Sequence, residues 1–406
     1  MSNRPDVTEP PSGPFARFRR TRLVIVLGLL SAFGPLSLDM YLPALPALAG
    51  DLQTGTSQAQ LSLTFCLLGL ALGQLLSGPM SDVRGRRYPL FIGLTVYTVS
   101  SLLCAYSPNV WVFIALRFIQ GLAGAAGIVL SRAIVRDLYS GPELTRFFSL
   151  LMLVNGAAPI LAPIFGGQLL QWTSWRGVFV VLCCIGAVML AAVRFGLPET
   201  LPADRRSKGG IRNTLATFRK LAGDRSFIGF ALAQGLVTAG MFAYIAGSPF
   251  VLQDIFGVSP QMFSVIFAMN GLGIIAAGQM TGRLAGKVGE IRLLTSGLGI
   301  AFIGGVCLLI AILAGAGLPL ILPSLFLVVS SVGIVSTSGT SLALQKYGQS
   351  AGSASALLGL LSFIIGGVVS PLVGLGGSGT AVPMGIVIAV AETGAVLCYL
   401  LLARGK

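Results

Sequence analysis

The chain has 406 residues, 54% of them hydrophobic and only 10% charged, with a mean hydropathy of +0.88 and a net charge of +14. Soluble domains carry about 25% charged residues, so the composition excludes a soluble domain and defines an integral membrane protein. The basic charge does not signal nucleic acid, because it is confined to one side. Of 27 Lys and Arg, only Arg117 and Arg176 fall outside segments that share a side with the N-terminus. That distribution predicts both termini in the cytoplasm. Histidine is absent, and all six cysteines (Cys66, Cys104, Cys183, Cys184, Cys307, Cys398) lie in apolar runs without metal-ligand spacing. Neither a metal site nor a disulfide framework is expected, and proton handling falls to Asp or Glu.

In chain order, residues 1–20 read as a polar, disordered tail. The arginine-rich start resembles a secretory signal, but the apolar run behind it is too long and lacks a cleavage-like end, so it reads as an uncleaved first helix. Apolar spans of membrane-crossing length follow near 22–46, 58–80, 88–107, 110–131, 143–170 and 177–196. Six more follow near 227–252, 261–282, 292–314, 318–343, 352–374 and 383–403. This predicts an all-α membrane protein with an N-terminal six-helix bundle over 21–196, a basic linker over 197–226 and a C-terminal bundle over 227–406. In the linker, Ile211, Leu215, Phe218 and Leu221 recur at helical spacing opposite Arg212, Arg219 and Lys220. That pattern suits either an amphipathic helix on the membrane surface or a solvated tether.

Between the second and third spans lies GPMSDVRGRR, Gly78 to Arg87, which returns degraded as GRLAGKVGEIR, Gly282 to Arg292. Gly78 and Gly85 map onto Gly282 and Gly289 at one offset of 204 residues (282 − 78, 289 − 85), half the chain, which indicates a duplicated architecture. Topology explains the hinge's basic residues but not Asp82, whose counterpart is Gly286. Asp82 and Arg86 are therefore expected to form an ionic latch between the bundles, the alternative being a staple local to the loop. LAGKV and GLGIIA imitate nucleotide loops, but lack the required flanking residues and a strand–helix context. Any pumping must draw on an ion gradient.

Ionisable residues within spans are costly and so suggest function. Three stand out: Asp39, Arg117 and Glu392. Asp39 lies roughly 24 Å and Arg117 roughly 21 Å from the same membrane side at 1.5 Å per residue, so the two are expected to pair. Burial disfavours a charged carboxylate and a neighbouring guanidinium favours it, so separating them would change proton affinity. Glu392 has no partner at its depth and is a candidate for a cavity, a cationic substrate or a helix contact. The fifth span carries NGAAPILAPIFGG, where Pro159 and Pro163 kink one face and Ala158, Ala162 and Gly166, followed by Gly167, offer a smooth one. Tyr41, Asn155, Phe242, Tyr244 and Asn270 are candidate cavity contacts.

These residues resemble the major facilitator superfamily, and within it the 12-helix drug:proton antiporters. Gly78, Asp82, Gly85 and Arg86 match the superfamily's loop motif, and Arg117, Gln120 and Gly121 in LRFIQGLAGAAG match its helix 4 motif. APIFGG is similar to the antiporter motif, with Ala162 where that motif has Gly. LSLDMYLPALP, SRAIVRDLY and LPETLP are most similar to the bicyclomycin-resistance (Bcr/CflA) family. The resemblance implies two pseudo-symmetric bundles and export of drugs such as bicyclomycin, phenicols or sulfonamides in exchange for protons. It also implies a bacterial inner-membrane location. On this reading Asp39 carries the proton, Arg117 tunes it, and the protein is a monomer that is not an enzyme. It needs no cofactor beyond the proton gradient, and its partners are substrate, protons and membrane lipids, with no nucleic acid. The rival readings are a proton-coupled nutrient uptake carrier and, from another class, a channel or receptor without coupled transport.

Overall fold

The computed structural model describes residues 23, 25–139, 141–206, 218–345, 347 and 351–403. The tail over 1–20 and the linker residues Ile211, Arg212 and Leu215 lie outside the described residues. Within them the chain is helical, with no strand.

The first half comprises α1 (Ile25–Ser31), α2 (Phe33–Asp39), α3 (Leu45–Asp51), α4 (Thr56–Arg84), α5 (Arg87–Ala105), α6 (Val110–Leu138), α7 (Gly141–Leu169) and α8 (Trp175–Gly196). The second comprises α9 (Arg225–Phe250), α10 (Pro260–Val288), α11 (Glu290–Leu313), α12 (Leu318–Leu344), α13 (Ala351–Val369) and α14 (Val382–Cys398). The first span is broken. α1 and the segment beginning at Phe33 meet at a 45° bend, and a short 3₁₀ turn, Leu42–Ala44, separates α2 from α3. Proline explains both breaks, because its ring cannot donate and collides with the carbonyl four residues back. Pro35 acts on Ser31 at the bend, and Pro43 acts on Asp39, where α2 ends. With α1–α3 counted as one span and α7, whose apolar stretch Leu153–Leu169 is shorter, counted as another, the described residues form twelve spans.

The helices outrun the apolar windows. α4 continues through Gly78 and Asp82 to Arg84, so the ten-residue hinge expected from the sequence is mostly helix. The break is Gly85, held at φ +89°, a left-handed conformation that glycine adopts without strain. Gly289 repeats it at φ +88° in the second half.

Glycine also sets the helix spacing. A Cβ at Gly69 would collide with the Phe118 carbonyl and one at Gly121 with the Cys66 carbonyl, so α4 and α6 meet backbone to backbone. α10 and α12 meet backbone to backbone at Gly333, where a Cβ would collide with the Ile274 carbonyl, while Gly273 makes room for the Ser330 and Phe326 side chains. Gly273 lies 204 residues after Gly69 (273 − 69), the same offset as the hinges. Without a hydrophobic drive inside lipid, such close approach supplies the packing energy.

Two seams join the halves: α7 against α10, and α4 against α13 with the following 3₁₀ turn, Ser370–Gly374. Among the described residues every hydrogen bond across them lies in the half of the molecule away from the Gly85 and Gly289 hinges. Ser57 Oγ donates to the Pro371 carbonyl (2.9 Å), Gln60 Nε2 to Ala246 (2.9 Å) and Thr64 Oγ1 to Gly367 (2.8 Å). Gln261 Nε2 donates to Gly167 (3.0 Å) and Ser264 Oγ to Pro163 (2.8 Å). The molecule is thus drawn shut at this loop end. At the hinge end, Cβ atoms built at Gly282, Gly286 and Gly289 would meet nothing within 4 Å.

Candidate transport site

Asp39 sits where Pro43 interrupts the first span, at the seam between the halves. It is 7% exposed, and its carboxylate has no hydrogen-bond or ion-pair partner among the described residues. The 3₁₀ turn that follows Asp39, Leu42–Ala44, packs against α9 and α10 of the second half. Tyr244 accepts a 2.8 Å hydrogen bond from Asn270 Nδ2 on α10 and stacks on Phe267 with ring centroids 5.6 Å apart. The Tyr244 phenol and the Asn270 amide thus lie on the two second-half helices that the turn after Asp39 packs against.

Arg117 does not pair with Asp39, contrary to the expectation from depth. Its Nη2 donates to the Ser37 carbonyl at 2.7 Å and its Nη1 to Gln120 Oε1. The guanidinium lies over the Tyr41 ring at 4.5 Å and the Phe179 ring at 5.5 Å, and its Nε has no partner. The reason is azimuth. The helix face that carries Ser37 turns into the first half, where its hydroxyl meets Tyr97 and its carbonyl meets Arg117, and Asp39, two residues on, points to a different side. The buried cation is held by a carbonyl, an amide and two π faces. Gln120 Nε2 donates to Ser101 Oγ (2.7 Å), Tyr41 shares a hydrogen bond with Ser62 (2.8 Å), and Ser37 shares one with Tyr97 (2.9 Å). Tyr41 therefore belongs to this internal network rather than to a cavity wall. Ser37, Ser62, Tyr97 and Ser101 carried no signal in the sequence, since serine and tyrosine within spans are common.

The other candidates scatter. Asn155 is half-buried and donates back to the Leu151 carbonyl at 2.8 Å. Phe242 is buried against Phe363 and occupies space opened by Gly366. Glu392 is not in a cavity. It is fully buried on α14 between Gly240 of α9 and Gly305 of α11, and neither carboxyl oxygen has a partner. It sits there because those glycines leave room; a Cβ at Gly240 would overlap Oε1.

The small-residue face of α7 lies at the loop-end seam. Ala158 and Ala162 are buried. A Cβ at Gly166 would overlap the Met40 carbonyl, and one at Gly167 would overlap Ser264 Oγ and lie 3.1 Å from the Pro260 carbonyl. Pro163 offers its carbonyl to Ser264.

The hinge is charged but does not bridge the halves. Arg86 Nη1 contacts Asp82 Oδ1 at 2.5 Å, and Arg86 Nε contacts Asp137 Oδ2 on α6 at 2.8 Å. The expected latch between bundles is thus a clamp inside the first half. Glu199, from LPETLP after α8, completes it by accepting the Arg86 amide (2.8 Å) and the Arg87 amide (3.1 Å) at the start of α5. Burial alone would raise the Glu199 pKa. Backbone donors from Leu201, Arg86, Arg87 and Thr200 outweigh that and hold it below the ordinary carboxylate value. Gly85 is required here, because a Cβ would lie 2.5 Å from Glu199 Oε2. Gly78 lies in α4 with ordinary room around it.

The second hinge keeps this join with reversed polarity. Glu290 accepts from Ser341 Oγ and Gln345 Nε2, both at 2.6 Å. The pair Glu290–Ser341 stands 204 residues after Arg86–Asp137 (290 − 86, 341 − 137).

Two repeated halves of six spans, closed at one end around buried polar groups, have the architecture of a membrane carrier. The comparisons agree. The family model of the Major Facilitator Superfamily matches residues 27–371, and the chain belongs to that superfamily. It is 46% identical over 370 residues to the uncharacterized MFS-type transporter YdgK of Bacillus subtilis, covering 91% of this chain and 92% of the other. It is 33% identical over 377 residues to a bicyclomycin resistance protein homolog of Haemophilus influenzae, covering 93% and 94%. The resemblance read from the motifs is therefore borne out. Among solved structures, a bacterial homolog of the human lysosomal transporter Spinster, in an inward-facing and occupied conformation, superposes with a TM-score of 0.75. Its identity is 15% and each chain is covered to 98%, a likeness of fold.

Proposed function

We propose that this protein exports small-molecule drugs of the bicyclomycin, phenicol or sulfonamide kind from the bacterial cytoplasm in exchange for protons, by alternating access. The observation that carries the reading is Asp39: a buried carboxyl at a helix break, beside the seam of the halves, with no hydrogen-bond or ion-pair partner among the described residues. A carboxyl placed there binds a proton in one state and releases it, or accepts a cationic group, in another. A proton relay needs a group that protein contacts do not already satisfy. Arg117 contributes a fixed positive field nearby without quenching the acid. The bicyclomycin-resistance relative and the multidrug-resistance relatives at lower identity support drugs as the cargo class. The basic segments support a cytoplasmic hinge end, which makes the conformation described above inward-open.

The test uses proteoliposomes with an imposed pH gradient and a pH-sensitive dye inside. Addition of bicyclomycin or chloramphenicol should move protons through the parent protein. Asp39→Asn should bind drug yet leave the pH signal flat. Drug-driven proton flux undiminished in that variant would end the proposal.

A further inference from the structure

The outer flank of the first half carries an elongated groove of about 610 Å³ that the transport site does not use. α4 and α5 form its walls and α6 its floor. α5 packs on α6 and α8 and barely touches α4, so the two helices splay apart from the Gly85 hinge. Both nevertheless press on the floor: Gly73 brings α4 onto the Leu122 carbonyl, and a Cβ at Gly93 of α5 would lie 2.7 Å from Ala126 Cβ. The floor between them is Ala123 and Ala126, side chains too small to fill the space. Leu76 and Val83 on one wall and Ile92 and Val96 on the other are 36–51% exposed. They face out of the molecule within membrane-crossing helices, where the solvent is lipid hydrocarbon.

The mouth differs. Arg84 lines it at the end of α4, exposed and without an ion-pair or hydrogen-bond partner among the described residues, whereas Arg86 beside it is bound on two sides. Tyr88 adjoins, 54% exposed, an amphipathic side chain of the kind that anchors at membrane interfaces. From Gly73 to Arg84 the helix rises roughly 16 Å at 1.5 Å per residue, about half of a hydrocarbon core of roughly 30 Å. The groove thus has the length of one acyl chain, and at its headgroup end stands an unneutralised guanidinium.

We propose that this groove binds an anionic phospholipid from the leaflet at the hinge end, with one acyl chain lying on Ala123 and Ala126 and the phosphate on Arg84. The bound lipid fills the wedge between α4 and α5 and braces the hinge that joins them. Basic sites between spans hold acidic headgroups by this means.

The experiment is native mass spectrometry of the full purified chain titrated with palmitoyl-oleoyl phosphatidylglycerol or with phosphatidylcholine of the same chains. Variants Arg84→Gln and Ile92→Trp change exposed positions, and melting temperature confirms that each folds as the parent does. The first phosphatidylglycerol bound by the parent should be about 5-fold tighter than the phosphatidylcholine, the weight of one basic side chain at a charged surface. Arg84→Gln should abolish that preference and leave phosphatidylcholine binding unchanged. Ile92→Trp, which fills the groove, should weaken both lipids at least 10-fold. Equal affinity of the two lipids for the parent, or full binding by Ile92→Trp, would overturn the assignment. So would chloramphenicol displacing the lipid one for one in the parent and Arg84→Gln alike, because the groove would then be a drug site.

Discussion

Gly167→Ala tests whether the loop-end seam is a gate. Gly167 faces α10 across the seam, and an added methyl would overlap Ser264 Oγ and press on the Pro260 carbonyl at 3.1 Å. Ser264 Oγ lies 2.8 Å from both the Pro163 carbonyl across the seam and the Pro260 carbonyl of its own helix, so in yielding it gives up the cross-seam bond, and the displacement of α10 also lengthens Gln261 Nε2 to Gly167 O, now 3.0 Å. Each neutral hydrogen bond contributes about 1 kcal/mol net, so the closed loop end loses about 2 kcal/mol, roughly a 30-fold shift in the equilibrium. The state open at the loop end has no such contact and is unaffected. Spin labels at Gln171→Cys and Ala314→Cys, exposed positions on opposite halves at this end, read the distance in a cysteine-depleted background. The long-distance population should rise from a minor to a major fraction in Gly167→Ala. Superimposable distance distributions, with transport at the parental rate, would refute the gate.

The remaining predictions concern the hinge and Glu392. Glu199 has a folded-state pKa below its unfolded value, so its contribution is fully present above the ordinary carboxylate value of about 4.3 and is lost as pH falls through the lower, folded value. Hydrogen exchange at the Arg86, Arg87 and Thr200 amides, corrected for intrinsic rates, should show protection at pH 6 that is lost only after the pH has fallen below the ordinary carboxylate value. Glu199→Gln should lower that protection at pH 6; equal protection in both proteins would remove Glu199 from the clamp. In the second half, Gly240→Ala forces a methyl against Glu392 Oε1 and should cost about 1–3 kcal/mol, as overpacking does. Adding Glu392→Ala should recover most of that loss in detergent melts, a non-additive cycle; strictly additive losses would mean the two do not share the site.

Much of the fold was legible because hydropathy reports depth. Twelve spans follow from apolar run length, and the Gly85–Gly289 offset exposes the repeat. Helix ends were less legible: the hydrogen-bond ladder of α4 runs past the apolar window through Asp82 to Arg84, and glycine at positive φ stops it, not polarity. The site was the weaker reading, because depth does not give azimuth. Asp39 and Arg117 lie at matching heights, yet Arg117 turns to the Ser37 carbonyl. Glu392 is mid-membrane, yet it points between helices rather than into a cavity. Arg86 was paired with Asp82 because that partner is local, whereas Asp137 and Glu199 are 51 and 113 residues away. Comparing the hinges residue by residue suggested that the second copy had lost its acid–base set. In three dimensions the exchange of Arg86 for Glu290 is answered by that of Asp137 for Ser341, so the join survives with different chemistry.

That asymmetry bears on how a proton at Asp39 could reach the gate. Among the described residues the five hydrogen bonds across the loop-end seam run from neutral side chains to backbone carbonyls, so none of these bonds titrates. The signal has to be mechanical, and one short route is available. Met40, the residue after Asp39, has its carbonyl against Gly166 of α7, and the next residue, Gly167, lies against Ser264 of the opposite half. Because Pro43 prevents an unbroken helix at Asp39, this stretch can re-form its turn when the carboxyl changes charge, without bending a whole span. A Met40 carbonyl pressed on a residue that tolerates no Cβ then moves α7 directly. If Asp39 carries the coupled proton as proposed, the small-residue face of α7 would be the part that converts titration at the break into separation of the halves. It also explains why the tightest contact in that face is made with the first span rather than across the seam.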